Sequence, residues 1–169
     1  MKLGAIALLL FCFSLAACSN GSTESGVVKE ADTSKFGGRY NGSATLEFLV
    51  DTIGVDPKKS EASAVVAIEV RSNGVVEFTI AGTTLRGTID DKGNWIIGAA
   101  INAFGLLIDD DDKRALELAG CRLGEEFATI KGQVTSPNVT GTVSGHMSCK
   151  LLLIELGSLE IVGAVQAAK

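Results

Sequence analysis

Between Arg39 and Val50 the chain alternates without a break. Tyr40, Gly42, Ala44, Leu46, Phe48 and Val50 fall on one face of an extended strand, and Arg39, Asn41, Ser43, Thr45 and Glu47 fall on the other. Strand side chains alternate with period two, so such a run buries one face only, and a sheet with one wet face is normally antiparallel. The pattern returns in Ala64, Val66, Ile68 and Val70, and again in Val76, Phe78 and Ile80, with Ser72-Asn73-Gly74 between them. Asn-Gly between alternating runs is a strong hairpin signal, because both residues tolerate positive φ.

Further turns are expected at Ala81-Gly82, Asp90-Asp91-Lys92-Gly93, Asn102 to Gly105, Asp109 to Lys113, Gly124 to Glu126 and Ser136-Pro137-Asn138. Asp51 to Ser60, with Gly54, Asp56, Pro57 and two lysines, reads as the longest polar connection. No segment carries a capped pattern of helical period. The alanine-enriched Gly157 to Lys169 leaves a short closing helix open beside the preferred last strand, around Leu159 to Gln166. The fold class is therefore all-β, a small antiparallel meander. Glycines at positions 42, 87, 98, 132, 141, 145 and 163 fall near strand middles, where they mark tight bends. They favour a closed or nearly closed β-barrel of about eight to ten strands, with a β-sandwich as the alternative.

The segment from Trp95 to Ile108 is the most apolar of the domain, and alternation is lost there. A buried central hairpin, a partner or ligand surface built around Trp95 and Phe104, and a membrane-dipping loop are the three readings. Four aspartates, Asp109 to Asp112, follow directly. A calcium site needs several oxygen ligands, but the EF-hand pattern fails, with Arg114 at the glycine position and Gly120 at the twelfth. A solvated hairpin tip accounts for the four aspartates better.

The front of the chain has Lys2, an apolar run from Leu3 to Leu15 and small residues before a cysteine, in Leu15-Ala16-Ala17-Cys18. That run is too short to span a bilayer, which needs about 20 residues. The sequence resembles the lipobox of bacterial lipoprotein precursors. The resemblance implies a signal peptide over 1–17, cleavage by a signal peptidase of type II, and lipid attachment at Cys18 through diacylglycerol and a further acyl chain such as palmitate. Two or more chains anchor stably where one does not. With Ser19 after the cysteine, sorting in that family implies the outer membrane. Residues 18–34 then form the lipidated cysteine and a flexible tether, with a typical reach of about 20 Å for a Gly/Ser-like coil, and 35–169 form one β domain. Val27-Val28 could dock back on that domain.

On that reading Cys12 leaves with the leader and Cys18 carries lipid, so Cys121 and Cys149 remain as one pair in an oxidising compartment, and a disulfide between them is expected. No further ligands at metal spacing accompany them, and His146 is the only histidine, so no metal and no cofactor is expected. Only Lys2 of the fifteen basic residues lies in the leader, and twenty residues are acidic. That balance disfavours nucleic acid and an electrostatic membrane patch.

No G-x-S-x-G, H-E-x-x-H, P-loop or C-x-x-C motif is present. Ser144, His146 and Ser148 share one strand face, but no acidic residue is apparent there, so no catalytic residue is assigned and no enzyme activity is expected. The expected function is an envelope lipoprotein held to the bilayer at Cys18, acting as a non-catalytic module that contacts an envelope protein. The alternative is a carrier holding a small apolar ligand in a lipocalin-like barrel.

Overall fold

A computed structural model describes residues 32–122, 127–151 and 154–169. The leader, Cys18, all but the last residues of the tether and the turn at 124–126 lie outside the described residues. Eight antiparallel strands form a closed barrel in sequence order: β1 (Gly38–Thr52), β2 (Val55–Val70), β3 (Val75–Ile80), β4 (Thr83–Ile89), β5 (Asn94–Ala100), β6 (Phe127–Thr135), β7 (Asn138–Leu151) and β8 (Ile154–Ala168). The pairing of β8 with β1, from Asn41↔Ala168 to Thr52↔Gly157, closes the ring and decides for barrel over sandwich.

Pairing partners followed round the ring from Gly38 pass through Val70, Val76 and Gly87. Continuing the register of Thr88↔Ile96, the path runs through Ile97, Ile130, Val143 and Gly163 and returns to β1 at Leu46. The return lies eight residues further along the strand, so strand number and shear are both eight. Such a barrel tilts its strands by about 36° and has an interior filled by layers of side chains. The inward positions agree: Tyr40, Leu46, Phe48, Ile68, Phe78 and Ile97 all have zero exposed surface. A side chain with no exposed surface has no water-sized space beside it. Outward positions of β1 carry Arg39, Asn41, Ser43, Thr45 and Glu47, so this face meets water rather than hydrocarbon.

The glycines explain the tight curvature. A Cβ on Gly42, Gly87 or Gly163 would lie within 3 Å of atoms of the neighbouring strand. At Gly132 an added carbon would meet the Thr140 carbonyl first, and at both Gly132 and Gly141 it would stand 2.7 and 2.8 Å from Trp95 Cζ2. The indole of Trp95 thus uses the space two missing side chains leave. Gly98 differs: nothing lies within 4 Å of its Cβ position.

The wall is uneven. β1, β2, β7 and β8 have 14 to 16 residues, whereas β3 to β6 have 6 to 9. β2 pairs with β3 only from Val66 to Val70, and β7 pairs with β6 only from Asn138 to Gly145. Above the short strands the chain supplies a plug: a 3-10 turn (Ile101–Phe104) and one α-helix, α1 (Asp110–Leu118). Phe104, Ile108 and Leu116 are buried there, and α1 rests on β1 and β8.

Two expectations need correction. The four aspartates are not a hairpin tip but the start of α1. Asp109 caps the helix by accepting from the Asp111 N–H at 2.9 Å, and Asp110, Asp111 and Asp112 occupy the first turn, where the helix dipole favours negative charge. Lys113 and Arg114 pair back to Asp110 and Asp111, and Ala115 to Leu118 are good helix formers. Nor is Asp51 to Ser60 a polar loop, since Ile53-Gly54 alone turns the chain and β2 begins at Val55. The register slips between Val50 and Thr52, opposite Pro57, which has no N–H to give the ladder. Pro57, Lys58 and Lys59 lie on the part of β2 that has no β3 neighbour, the composition that edge strands use against misplaced pairing.

The final segment is strand throughout, Ile154 to Ala168, so the closing helix does not form.

Candidate functional site

Strand direction separates the two barrel ends. At the N-terminal end, Thr33 is buried and its hydroxyl donates to the Arg71 and Ser72 carbonyls, while the Tyr40 hydroxyl donates to the Phe36 carbonyl at 2.7 Å. The turns at Arg71–Gly74, Asp90–Gly93 and Ser136-Pro137 are at this end, as is Lys169, whose ammonium donates to the Gly37 carbonyl at 2.8 Å. The opposite, helix end carries the Ile53-Gly54 turn, the β7–β8 hairpin and α1.

The surface expected around Trp95 and Phe104 does not exist as such. Trp95 is 2% exposed and Phe104 fully buried. β5 keeps its alternation, with Trp95, Ile97 and Ala99 inward, so apolar Ile96 on the outside is what disguised it in the sequence. Trp95 stacks with Phe78 at 6.3 Å between ring centroids, and its indole Nε1 is buried with no hydrogen-bond partner. Outside this ring an open groove of about 740 Å³ runs over the backbone of Trp95, Gly132 and Gly141, flanked by Thr88, Asn94, Ile96, Lys131, Gln133 and Thr140. Its polar walls are uncharged apart from Lys131 and Asp90.

Cys121 and Cys149 form the expected disulfide, with Cα atoms 4.6 Å apart. It ties the residues after α1 to the part of β7 that has no β6 neighbour. Across the plug, Lys58 Nζ lies 2.7 Å from Asp112, and the Ser60 hydroxyl donates to the same carboxylate at 3.3 Å. The hydrogen bond to Asp112 holds the Lys58 ammonium above the usual lysine range, and the Lys113 ammonium holds Asp110 below the usual carboxylate range. Among the described residues no group of three or more His, Cys, Asp or Glu side chains is arranged to hold a metal ion.

His146 Nε2 is 3.2 Å from Ser148 Oγ on the outer face, and Glu160 is its direct partner across β8. That carboxylate is missed by reading one strand alone, because only the β7–β8 register brings it to the same face. The three groups stand on an exposed wall rather than in a cleft.

The helix end is chemically different from the rest of the surface. Ile53 and Val55 are each 66% exposed, Ile154 63% and Leu118 83%. Ile53, Val55 and Leu118 rim a cleft of about 370 Å³ whose walls are Thr52, Ala115, Ala119 and Leu156, and Ile154 stands two residues before Leu156 on β8. The Ile53 N–H donates to the Leu156 carbonyl at 3.0 Å, which fixes the β1–β2 tip against β8. Large aliphatic side chains gathered at one end mark a contact surface more strongly than the same residues scattered singly.

Fold and site together define a small up-and-down, eight-stranded antiparallel β-barrel with a filled interior and an apolar, helix-plugged end. No protein-family model matches the chain, and no curated protein is significantly similar to it.

Proposed function

We propose that the protein is a tethered, non-catalytic interaction module of the bacterial envelope, anchored by acyl chains on Cys18 and contacting another envelope protein through the helix end of its barrel. The observation that carries the reading is the exposed Ile53, Val55 and Leu118 around an apolar cleft. The N-terminal segment enters at the other end, the full fifteen residues of β1 away. A chain anchored through that segment presents its apolar end away from its point of attachment. The carrier reading has less support, since Tyr40, Leu46, Phe48, Ile68, Phe78 and Ile97 fill the interior with no exposed surface.

The test uses the full chain in its own envelope. Photo-crosslinking residues placed at Leu118 and Ile53 are expected to capture one envelope protein of fixed mass, and Leu118→Asp is expected to abolish capture from Ile53 without lowering the melting temperature. Cys18→Ser is expected to move the protein from the membrane to the soluble fraction. Capture that survives Leu118→Asp, or membrane retention of the Cys18→Ser chain, overturns the corresponding half of the proposal.

A further inference from the structure

The outer wall of β5, β6 and β7 differs in charge from the wall opposite. There Glu77 on β3 holds Arg71 and Arg86, and Glu47 on β1 holds Lys59 of β2. The groove of about 740 Å³ outside the Trp95 ring instead lies between two rows of outward side chains that the strand registers set side by side. Asn94, Gln133 and Thr140 form one row, and Ile96, Lys131 and Thr142 the next. Lys131 is the single charge of the six, and it makes no ion pair among the described residues. Asp90, at the end of the groove, is engaged by the Asn94 side chain and by two N–H groups of its own turn. The side chains of Gln133, Thr140 and Thr142 have no hydrogen-bond partner among the described residues, and Ile96 beside them is 53% exposed. Gly98 adds a separate observation. It is the next outward position of β5 after Ile96, and a Cβ there would meet nothing within 4 Å, whereas at Gly132, Gly141 and Gly145 an added carbon would stand within 3 Å of a neighbour. A glycine inside a strand weakens it, and one that packing does not require marks a place where something else approaches the backbone.

We infer that this face binds a neutral glycan, a chain of acetamido sugars laid on the groove and over the bare backbone at Gly98. A sugar ring has an apolar C–H face and a rim of hydroxyls. Ile96 meets the first, and Thr140, Thr142 and Gln133 meet the second. The Gln133 amide has both donors and an acceptor, so it pairs with the N–H and the carbonyl of an acetamido group alike. The groove crosses from β4 to β7, about 14 Å at the usual strand spacing, which is longer than a single ring. Other ligands fit this wall less well. A peptide strand finds no edge to extend, because β5 pairs with β6 and β6 with β7 all along the groove. One lysine holds a polyanion poorly, and the Asp90 carboxylate is already engaged, which disfavours a cation. The groove shares no residue with the helix-end cleft, so this inference and the proposed function fail independently.

Amide NMR of the full chain in a sugar-free detergent, titrated with tri-N-acetylchitotriose, is the test. Saturable shifts are expected at Gly98, Gly132 and Gly141 and not at Ile53 or Leu118. Gly98→Leu is expected to weaken binding at least about tenfold. Its side chain enters open space, so the melting temperature is expected to hold or rise, which separates a blocked face from a lost fold. Gln133→Ala is expected to weaken binding about threefold or more, the worth of a neutral hydrogen bond. Cellotriose, a similar chain without acetamido groups, is expected to bind at least about tenfold more weakly than the acetylated trimer. No saturable shift with tri-N-acetylchitotriose, binding undiminished by Gly98→Leu, or equal binding of cellotriose overturns the inference.

Discussion

Lys58 and Asp112 meet at 2.7 Å across the gap where the barrel wall has no third strand, joining β2 to the helix that fills it. The Asp112 side chain is 4% exposed and that of Lys58 53% exposed, so the pair is anchored on the helix side and wet on the strand side. Removal of the buried partner frees a lysine that water can solvate. Asp112→Ala is therefore expected to cost about 1–2 kcal/mol rather than the larger penalty of a fully buried pair. Amide exchange in α1 should rise more than in β1 or β8, and Asp111→Ala, on a side chain 85% exposed, should change neither.

The Trp95–glycine contact makes a sharper prediction. A methyl group at Gly132 would meet Trp95 Cζ2 at 2.7 Å and also the backbone of β7, neither of which can step aside inside a closed sheet. Gly132→Ala is expected to destabilise the protein by about 1–3 kcal/mol, the usual penalty of overpacking. Gly98→Ala meets nothing within 4 Å and should be neutral or raise stability by about 0.4–1 kcal/mol through the unfolded chain. Urea unfolding followed by the fluorescence of the single tryptophan measures both.

The disulfide closes a separation of 28 residues that contains the loop after α1 and the two strands between. In the chain-entropy treatment such a closure stabilises by about 3–4 kcal/mol. The Cys121→Ala, Cys149→Ala double variant is expected to lose about that much in denaturant unfolding and to keep the barrel's circular dichroism. In the native protein neither thiol should react with alkylating reagent before reduction. An unchanged unfolding midpoint would show that the bond constrains nothing the fold does not already hold.

Much of the barrel was legible because each strand faces water on one side. The alternation of Tyr40 to Val50, the Asn73-Gly74 turn and the disposition of Val76, Phe78 and Ile80 all reappear in the structure. The failures share a cause. Reading Asp109 to Asp112 as a polar tip missed a helix start, because capping aspartates and turn aspartates look alike until the residues after them are weighed. Pro57, Lys58 and Lys59 looked like a loop because an unpaired strand edge uses the residues loops use. The sequence left Trp95 open between a buried hairpin and a binding surface because Ile96 breaks the alternation, and only Gly132 and Gly141, more than thirty residues away in sequence, show where the indole goes. The cluster at the helix end is assembled from β1, β2, α1 and β8, a grouping no local pattern announces.

Asp90 ties its acid response to one turn. Its carboxylate accepts from the Asn94 side chain at 2.9 Å and from the backbone N–H groups of Asn94 and Lys92 at 2.8 and 2.9 Å, closing the β4–β5 connection. These bonds, the Asn94 amide foremost, hold the Asp90 carboxyl below its ordinary value. A carboxyl whose affinity for protons is lowered by folding stabilises the folded state above its unfolded pKa, near about 4, and loses that contribution as pH falls through the lower folded value. Acidification below about pH 4 is therefore expected to release this turn, with amide exchange at Lys92 and Asn94 rising while the long strands stay protected. Asn94→Ala removes the largest cause of the shift, so the Asp90 carboxyl should titrate nearer its ordinary value and the turn should open at higher pH. Carbon-detected NMR of the Asp90 carboxyl reads both chains directly; titration at or above the ordinary aspartate value in the unmodified protein would remove the acid-labile turn from the account.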